Sequence, residues 1–160
     1  MPRRVNWLRP LAGRTPKQDA FLALRGASYH LAQVIEQFKN GLTTNDKKSL
    51  FHWHLRGFFW ELAAVRDTLR RAASADPAIA AALAELHGSD WFIEVLAYRN
   101  FAHQSFQVVE AVASRATGQV VAFQLQVTHD SQEWNPEGPG HLQSYWDKMQ
   151  QFLLGLYPPG

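Results

Sequence analysis

Residues 51–69, FHWHLRGFFWELAAVRDTL, decide the fold class of this chain. Their large apolar side chains recur every three or four positions, which is the period of a helix that buries one face. We call this set the inner stripe, and its members are Phe51, Leu55, Phe58, Leu62, Val65 and Leu69. The sequence therefore predicts a long bundle helix that ends near Ala73.

A second apolar stripe follows a different side of the same helix. We call it the outer stripe, and its members are Trp53, Gly57, Trp60 and Ala64. A helix that is apolar on two sides is either central in its bundle or also contacts another subunit. We therefore expect a homodimer that forms through the aromatic-rich helices.

Capping signals mark the starts of the two long helices. Thr15 is a predicted N-cap, Pro16 occupies the first helical position and Gln18 completes a capping box. The sequence TTND at 43–46 indicates a second capping box. An apolar repeat on the first helix ends at Asn40 and Gly41, and its members are Phe21, Leu24, Ser28, Leu31, Ile35 and Phe38.

Three further helices are predicted downstream. A short Ala-rich helix begins at Asp76 and Pro77 and closes at Gly88. The next helix begins at Ser89 and Asp90. The last helix has an apolar side composed of Leu142, Tyr145, Met149, Phe152 and Leu156.

Between these last two helices the apolar period changes from helical to alternating. Residues 121–127 alternate apolar and polar side chains, which is typical of a strand. Residues 106–113 either pair with them across a turn at 115–118 or continue the preceding helix, and 129–140 are expected to form a loop. The predicted fold is therefore mainly α, a bundle of four to five helices with a β-hairpin between the last two helices.

Composition restricts the domain organisation and the classes of site. The 160 residues predict one domain at 15–160 preceded by a basic, flexible arm at 1–14, and the chain has no cysteine, which excludes disulfides and thiolate chemistry. No apolar run reaches membrane-spanning length and no signal-type segment begins the chain. We expect a cytoplasmic protein without a membrane partner.

The pentapeptide at 99–103, RNFAH, is the strongest candidate site. Arg99 and His103 are one helical turn apart, so their side chains are surface neighbours. They fall within an apolar stripe that is formed by Phe92, Val95, Leu96, Ala102 and Phe106. A charge on the buried side of a helix is costly unless it is paired or functional.

The segment at 98–104, YRNFAHQ, resembles the motif region of the HEPN superfamily, in which an Arg and a polar residue precede a His on a late bundle helix. The long helix around 58–62, FFWEL, with Glu61 and Asp67, is similar to an uncharacterised branch of that group. Here three residues separate Arg99 from His103, fewer than in the family motif. The resemblance covers roughly residues 15–106 and implies a dimeric helical bundle.

The resemblance also implies a chemistry. Many of these proteins are metal-independent ribonucleases of toxin–antitoxin or defence systems. His103 would serve as general base or acid, Arg99 would stabilise phosphoryl charge, and Asn100 would position the phosphate or orient His103. RNA and an antitoxin-type protein are the implied partners, and no cofactor or metal is required.

Two other interpretations of the same residues are open. Arg99 could form an ion pair with Glu61 or Asp67 while His103 donates to a backbone carbonyl, which would make the chain a non-catalytic dimeric interaction module. The other interpretation is a metal site built from His54 and Glu61 with His30 or His103. His-x-x-x-His and Glu-x-x-His patterns are absent from the sequence, so no metal ligand is predicted.

Overall fold

The computed structural model describes residues 13–41, 43–101, 107–113, 115–117, 120–127, 130–134 and 138–160. Within these ranges the chain is mainly helical, as predicted. The helices are α1 (Pro16–Asn40), α2 (Asn45–Arg70), α3 (Pro77–His87), α4 (Asp90–Phe101) and α5 (Gly138–Leu156). None of the described helices combines the length and the apolar character that a membrane crossing requires.

Three short strands lie between α4 and α5: β1 (Gln107–Ala113), β2 (Val120–Val127) and β3 (Asp130–Trp134). They pair antiparallel in the order β1-β2-β3, with Gln107 opposite Gln126 and Val127 opposite Asp130. The expected loop at 129–140 is wrong, because it contains β3 and the first residues of α5. The third strand supplies backbone partners to the edge of β2 that a two-stranded hairpin would leave unpaired.

The two long helices begin with different caps. At α1 the reciprocal capping box is present, since the Gln18 N–H donates to Thr15 Oγ1 at 3.2 Å and the Thr15 N–H donates to Gln18 Oε1 at 3.0 Å. At α2 the N-cap is Thr44, whose hydroxyl accepts only from the Lys47 N–H. The capping box predicted at 43–46 is therefore wrong, because Lys47 occupies the reciprocal position and an ammonium group cannot accept a hydrogen bond.

The inner stripe of α2 forms the centre of the core. All six of its members have no solvent-exposed area. Burial of each such side chain contributes about 1.5–3 kcal/mol to folding. The inner stripe is therefore the largest single source of the bundle's stability.

The buried face of α1 is rotated from the predicted one. Leu24, Leu31 and Phe38 are buried as expected, but Ser28 is exposed. The remaining buried positions are Ala20, Ala23, Ala27 and Val34. Small side chains allow α1 to approach α2 closely, so the helices pack through alanines. The predicted face was built from large apolar residues and therefore omitted these alanines.

Three contacts fix α4, the helix that carries the candidate motif. Tyr98 stacks on Phe59 of α2 with ring centroids 4.9 Å apart. The Tyr145 hydroxyl of α5 donates to Glu94 at 2.5 Å, and burial together with this carboxylate raises the Tyr145 pKa. Phe92 is fully buried. The last turn of α4 is thereby held against the middle of α2.

Candidate functional site

Arg99 lies in the last turn of α4 with its guanidinium directed at α2. Its Nη1 is 3.5 Å from Asp67 Oδ2, and its Nε and Nη2 both donate to Asn100 Oδ1, at 3.3 and 3.0 Å. Its Cζ lies 6.0 Å from the centre of the Trp60 ring. The side chain is 23% exposed. Arg99 is therefore a half-buried cation that is already engaged by a carboxylate, an amide and an aromatic face.

The Asp67 carboxylate is shared between two arginines. Arg66 contacts the other carboxylate oxygen, Oδ1, through Nη2 at 2.7 Å and through Nε at 2.8 Å. Arg66 is buried and lies across the ring of Phe92, 6.0 Å from its centre. Because the Arg66 contact is shorter and more buried than the Arg99 contact, Asp67 serves first as the counter-charge of Arg66.

The two other candidate residues of the motif are Asn100 and His103, and the structure describes only the first. Asn100 is exposed, and its oxygen accepts from Arg99. This bond uses the amide oxygen, which would otherwise accept from His103, and it leaves the Nδ2 donors that a phosphate would use. His103 and the neighbouring stripe residues Ala102 and Phe106 lie outside the described residues, so the role of His103 stays a prediction.

Glu61 was the other candidate partner of Arg99, and the geometry corrects that assignment. Its carboxyl group lies on Gly26 of α1, where an added Cβ would meet Glu61 Cδ at 2.9 Å. Successive side chains diverge by about 100° around a helix, so Glu61 projects towards α1 while Trp60 lies beside Arg99. Among the described residues Glu61 makes no ion pair.

Two histidines from the metal interpretation do meet. His30 Nδ1 and His54 Nδ1 are 3.0 Å apart, so one ring donates to the other. The pair is edged by Tyr29 and by Trp53, whose ring centre is 4.8 Å from that of His54. Burial lowers the pKa of both imidazoles, and for His30 the neighbouring His54 adds to that decrease.

This histidine pair does not extend to a metal site. No group of three or more potential metal ligands occurs in the described part of the chain. His30 of α1 instead packs against Gly57 of α2, at the point where the two helices cross. Its ring fills the space beside this glycine, because an added Cβ would lie 2.5 Å from the imidazole. The pair joins α1 to α2 through a polar contact at a glycine.

The two tryptophans of the outer stripe are half-exposed, whereas Gly57 lies under the His30 ring and Ala64 is half-buried. Trp53 is 58% exposed and Trp60 is 49% exposed. The sequence singled out these tryptophans but could not place Arg99 beside them. It missed Tyr29, Arg25 and Arg71, which line a groove on the α1 side; no periodic or motif signal distinguishes them from ordinary surface residues.

Comparison of the chain with protein-family models, with curated proteins and with solved structures gives no match in any of the three.

Proposed function

We propose that this chain is a HEPN-like helical domain that works as a homodimeric interaction module. The outer stripe of α2 would form the dimer contact, and Arg99 would be a structural residue at its edge. The observation that carries the proposal is the exposure of Trp53 and Trp60 on the central helix of the bundle.

Tryptophan is the residue type for which such exposure has the largest consequence. It buries a large area when it is covered, and it is enriched at the energetic centres of protein interfaces. Two half-exposed tryptophans on one helical face are more than the scattered apolar residues of an ordinary surface. Leu50 lies beside them and is also exposed, which extends the patch towards the start of α2.

The stripe has the spacing that a two-fold contact requires. Trp53 and Trp60 are seven residues apart, roughly 10 Å along the helix axis. In an antiparallel pair of α2 helices centred between these residues, Trp53 would face Trp60 of the partner subunit, and the His30 ring that covers Gly57 in each subunit would lie at the centre of the contact. Such a contact is self-complementary, as an isologous dimer demands.

The environment of Arg99 supports a structural role. Its guanidinium already contacts Asp67, Asn100 and Trp60, so it enters no site as a free cation. A phosphate would have to compete with the Asn100 oxygen and with a carboxylate. At the edge of a dimer the same contacts would hold Trp60 in a fixed orientation.

Sedimentation equilibrium of the full chain tests the proposal. We expect a dimer for the wild type and a monomer for the double variant Trp53→Ser and Trp60→Ser, with unchanged helical circular dichroism. The control removes two exposed apolar residues elsewhere, Ile93→Ser and Leu154→Ser, and should remain dimeric. A monomeric wild type would refute the proposal.

Cysteine chemistry tests the orientation, because the chain has no native thiol. Arg56→Cys places one exposed sulfur next to the midpoint of the stripe, so the two-fold arrangement predicts rapid disulfide formation between subunits. Ser74→Cys, which is exposed beyond the end of α2, should form no disulfide between subunits under the same oxidant. Equal cross-linking of the two variants would argue against this axis.

A ribonuclease that uses Arg99, Asn100 and His103 is the second candidate. One observation favours it: Asn100 is exposed and Arg99 partly so, and Arg99 lies beside Trp60 at the edge of the proposed dimer contact. Dimerisation would bring Arg99 and Asn100 of both subunits into one cleft. The RNA 2′-hydroxyl would then attack the adjacent phosphate while His103 accepts its proton. A 2′,3′-cyclic phosphate would form as the bond to the 5′-oxygen of the next nucleotide breaks, and that oxygen would take a proton from water.

Cleavage assays separate the two candidates. A ribonuclease should cut RNA in the presence of EDTA, and His103→Ala should abolish cutting while the dimer and the fold persist. If the wild type cuts no RNA and His103→Ala alters only stability, the interaction module is the better description. An antitoxin-type protein would then be sought as its partner.

A further inference from the structure

His30 of α1 and His54 of α2 contact each other where the two long helices cross. Their Nδ1 atoms are 3.0 Å apart, so one ring donates a hydrogen bond and the other accepts it. An imidazole accepts only through a nitrogen that carries no proton. Because the histidine side chain changes its charge near neutral pH, this contact between α1 and α2 depends on pH.

The His30 ring fits closely into the helix crossing. A Cβ added to Gly57 would lie 2.5 Å from both Cε1 and Nε2 of His30, so this edge of the ring packs against the backbone of α2. The Nδ1 edge faces His54. The side chain is half-buried, so a ring that loses its partner can leave the crossing only by turning towards solvent.

Aromatic rings flank the histidine pair on both helices. The ring centre of Tyr29 in α1 is 5.4 Å from that of His30 and 5.9 Å from that of His54. The ring centre of Trp53 in α2 is 5.5 Å from that of His30 and 4.8 Å from that of His54. All four contacts are nearly edge-on. These two neighbours offer no carboxylate to a protonated imidazole.

The charged side chains of the surrounding turns do not neutralise the pair either. Arg25 and Arg56 are exposed, and their positive charges disfavour an imidazolium. The carboxyl group of Glu61 packs on α1 about one turn before His30. Burial lowers the pKa of both imidazoles, His54 adds to the decrease at His30, and no described carboxylate offsets it.

Protons compete with the contact between the two rings. One proton can bind the second nitrogen of the donating ring while the hydrogen bond persists. A second proton removes the acceptor and leaves two positive charges on rings whose Nδ1 atoms are 3.0 Å apart. Rings that have turned into water bind protons at the ordinary histidine pKa. A lower pH therefore favours the turned-out form over the paired form.

This equilibrium affects the proposed dimer, on which the inference rests. In the antiparallel contact between two α2 helices, the His30 ring over Gly57 lies at the centre. In the paired form this ring is part of the surface that the partner subunit contacts. In the turned-out form it would occupy the space of the partner. The partner therefore binds the paired, less protonated form, so association and proton uptake oppose each other.

We propose that the contact between His30 and His54 is a pH-sensitive switch that maintains the dimer near neutral pH and releases it in mild acid. The monomer binds more protons than the dimer, so the dissociation constant of the dimer rises as the pH falls. Each subunit carries one pair, so both pairs contribute to this rise. The helices stay folded, because the inner stripe contains no titratable side chain.

Sedimentation equilibrium of the full chain tests the switch at about pH 7.5 and about pH 5.5, one unit on either side of the histidine pKa. The dissociation constant of the wild-type dimer should rise about tenfold or more at the lower pH, with unchanged helical circular dichroism. In His54→Gln it should change less than about threefold, because the glutamine oxygen still accepts from a protonated His30. His30→Gln should behave in the same way, and it replaces His54→Gln if that variant does not fold.

Two other histidines provide the controls. His87 is exposed on α3, and His87→Gln should keep the full pH dependence of the wild type. His52 lies on α2 two residues before His54, and burial also lowers its pKa. His52→Gln should keep the pH dependence as well. Loss of the dependence in either control, with His54→Gln unaffected, would assign it to another residue and overturn the proposal.

The remaining outcomes separate the switch from the dimer itself. Equal dissociation constants of the wild type at the two pH values would overturn the switch and leave the dimer standing. A wild type that is monomeric at about pH 7.5 would refute the dimer, and the switch with it. Loss of helical circular dichroism at the lower pH would show that dissociation follows unfolding, which would also overturn the switch.

Discussion

The inner and outer stripes of α2 share a helical period and have opposite environments. Phe58 is fully buried, whereas Trp60, two residues later, is half-exposed. The period of a sequence identifies an apolar face, but the placement of the other helices decides what covers it. Here the neighbouring helices pack on the inner stripe, whereas Trp53 and Trp60 are only partly covered, Trp53 by His30 and His54 and Trp60 by Arg99.

The two stripes also differ in residue type, in agreement with the burial of the inner stripe and the exposure of the two tryptophans. The inner stripe contains only Phe, Leu and Val, which have no polar atom to satisfy in a core. The outer stripe combines Trp with Gly and Ala, and a Trp side chain retains an N–H donor that is easily satisfied at a wet interface. Composition within a stripe therefore adds information that its period lacks.

Phe58→Ala should produce the largest loss of stability. The cavity it leaves in the core should lower the free energy of unfolding by about 3–5 kcal/mol. Trp60→Ala should change it by less than about 1 kcal/mol in the monomer, because half of that side chain is already in water. Urea denaturation of both variants at a concentration that suppresses association measures the difference, and similar losses would contradict the division into two stripes.

Gly57→Ala should show that the outer stripe is not open along its whole length. An added Cβ would lie 2.5 Å from the His30 ring, so the helices must shift, at a cost of about 1–3 kcal/mol. Gly155→Ala in α5 is the matched control, because nothing lies within 4 Å of its added Cβ. That control should stabilise the protein by about 0.5–1 kcal/mol. Partial recovery in the double variant Gly57→Ala and His30→Ala would identify the imidazole as the cause.

Asp67 lies between the two stripes, and Asp67→Asn should lower the stability less than Gly57→Ala does. It removes the carboxylate from buried Arg66 and should lower the free energy of unfolding by about 1–2 kcal/mol. Arg99→Gln breaks only the longer, more exposed ion pair and should cost less than about 1 kcal/mol. Thermal unfolding at constant pH compares the two, and a larger loss from Arg99→Gln would make Arg99 the principal partner of Asp67.

Mild acid should have the smallest effect on stability. The pKa values of His30, His52 and His54 lie below their usual 6.5 in the folded protein, so the unfolded chain binds protons first. The free energy of unfolding should therefore fall as the pH drops through and below 6.5. Denaturant titrations across this range should show a flatter dependence for His54→Gln. An unchanged slope would exclude the histidine pair as a source of the effect.

The sequence predicted the helices well because their signals are local. Thr15, Pro16 and Gln18 fix the start of α1 through bonds within one turn, and Asp76 begins α3 in the same way. The rotation of α1 was missed because alanine at 20, 23 and 27 is an equally good surface residue. Its burial depends on how closely α2 approaches, which is a property of the packed pair.

The candidate site was less predictable because its contacts are not local. The sequence suggested that Arg99 would meet Asp67 or Glu61, and both are on α2. Which of them faces α4 depends on the rotation of α2 about its axis, and that is set by the inner stripe. Tyr29 and Arg71 come to line one groove only after the two helices have packed, so no spacing in the sequence predicts this arrangement.

The indole N–H of Trp146 donates to the backbone carbonyl of Leu24 at 2.9 Å, across 122 positions of the chain. This contact has a consequence for synthesis on the ribosome. The α1–α2 pair can assemble soon after it emerges, but the face of α1 that α5 covers stays open until α5 has emerged as well. During that interval Leu24 is exposed on a nascent chain, and the packing of α5 is the step that withdraws it from chaperones and from other unfinished chains.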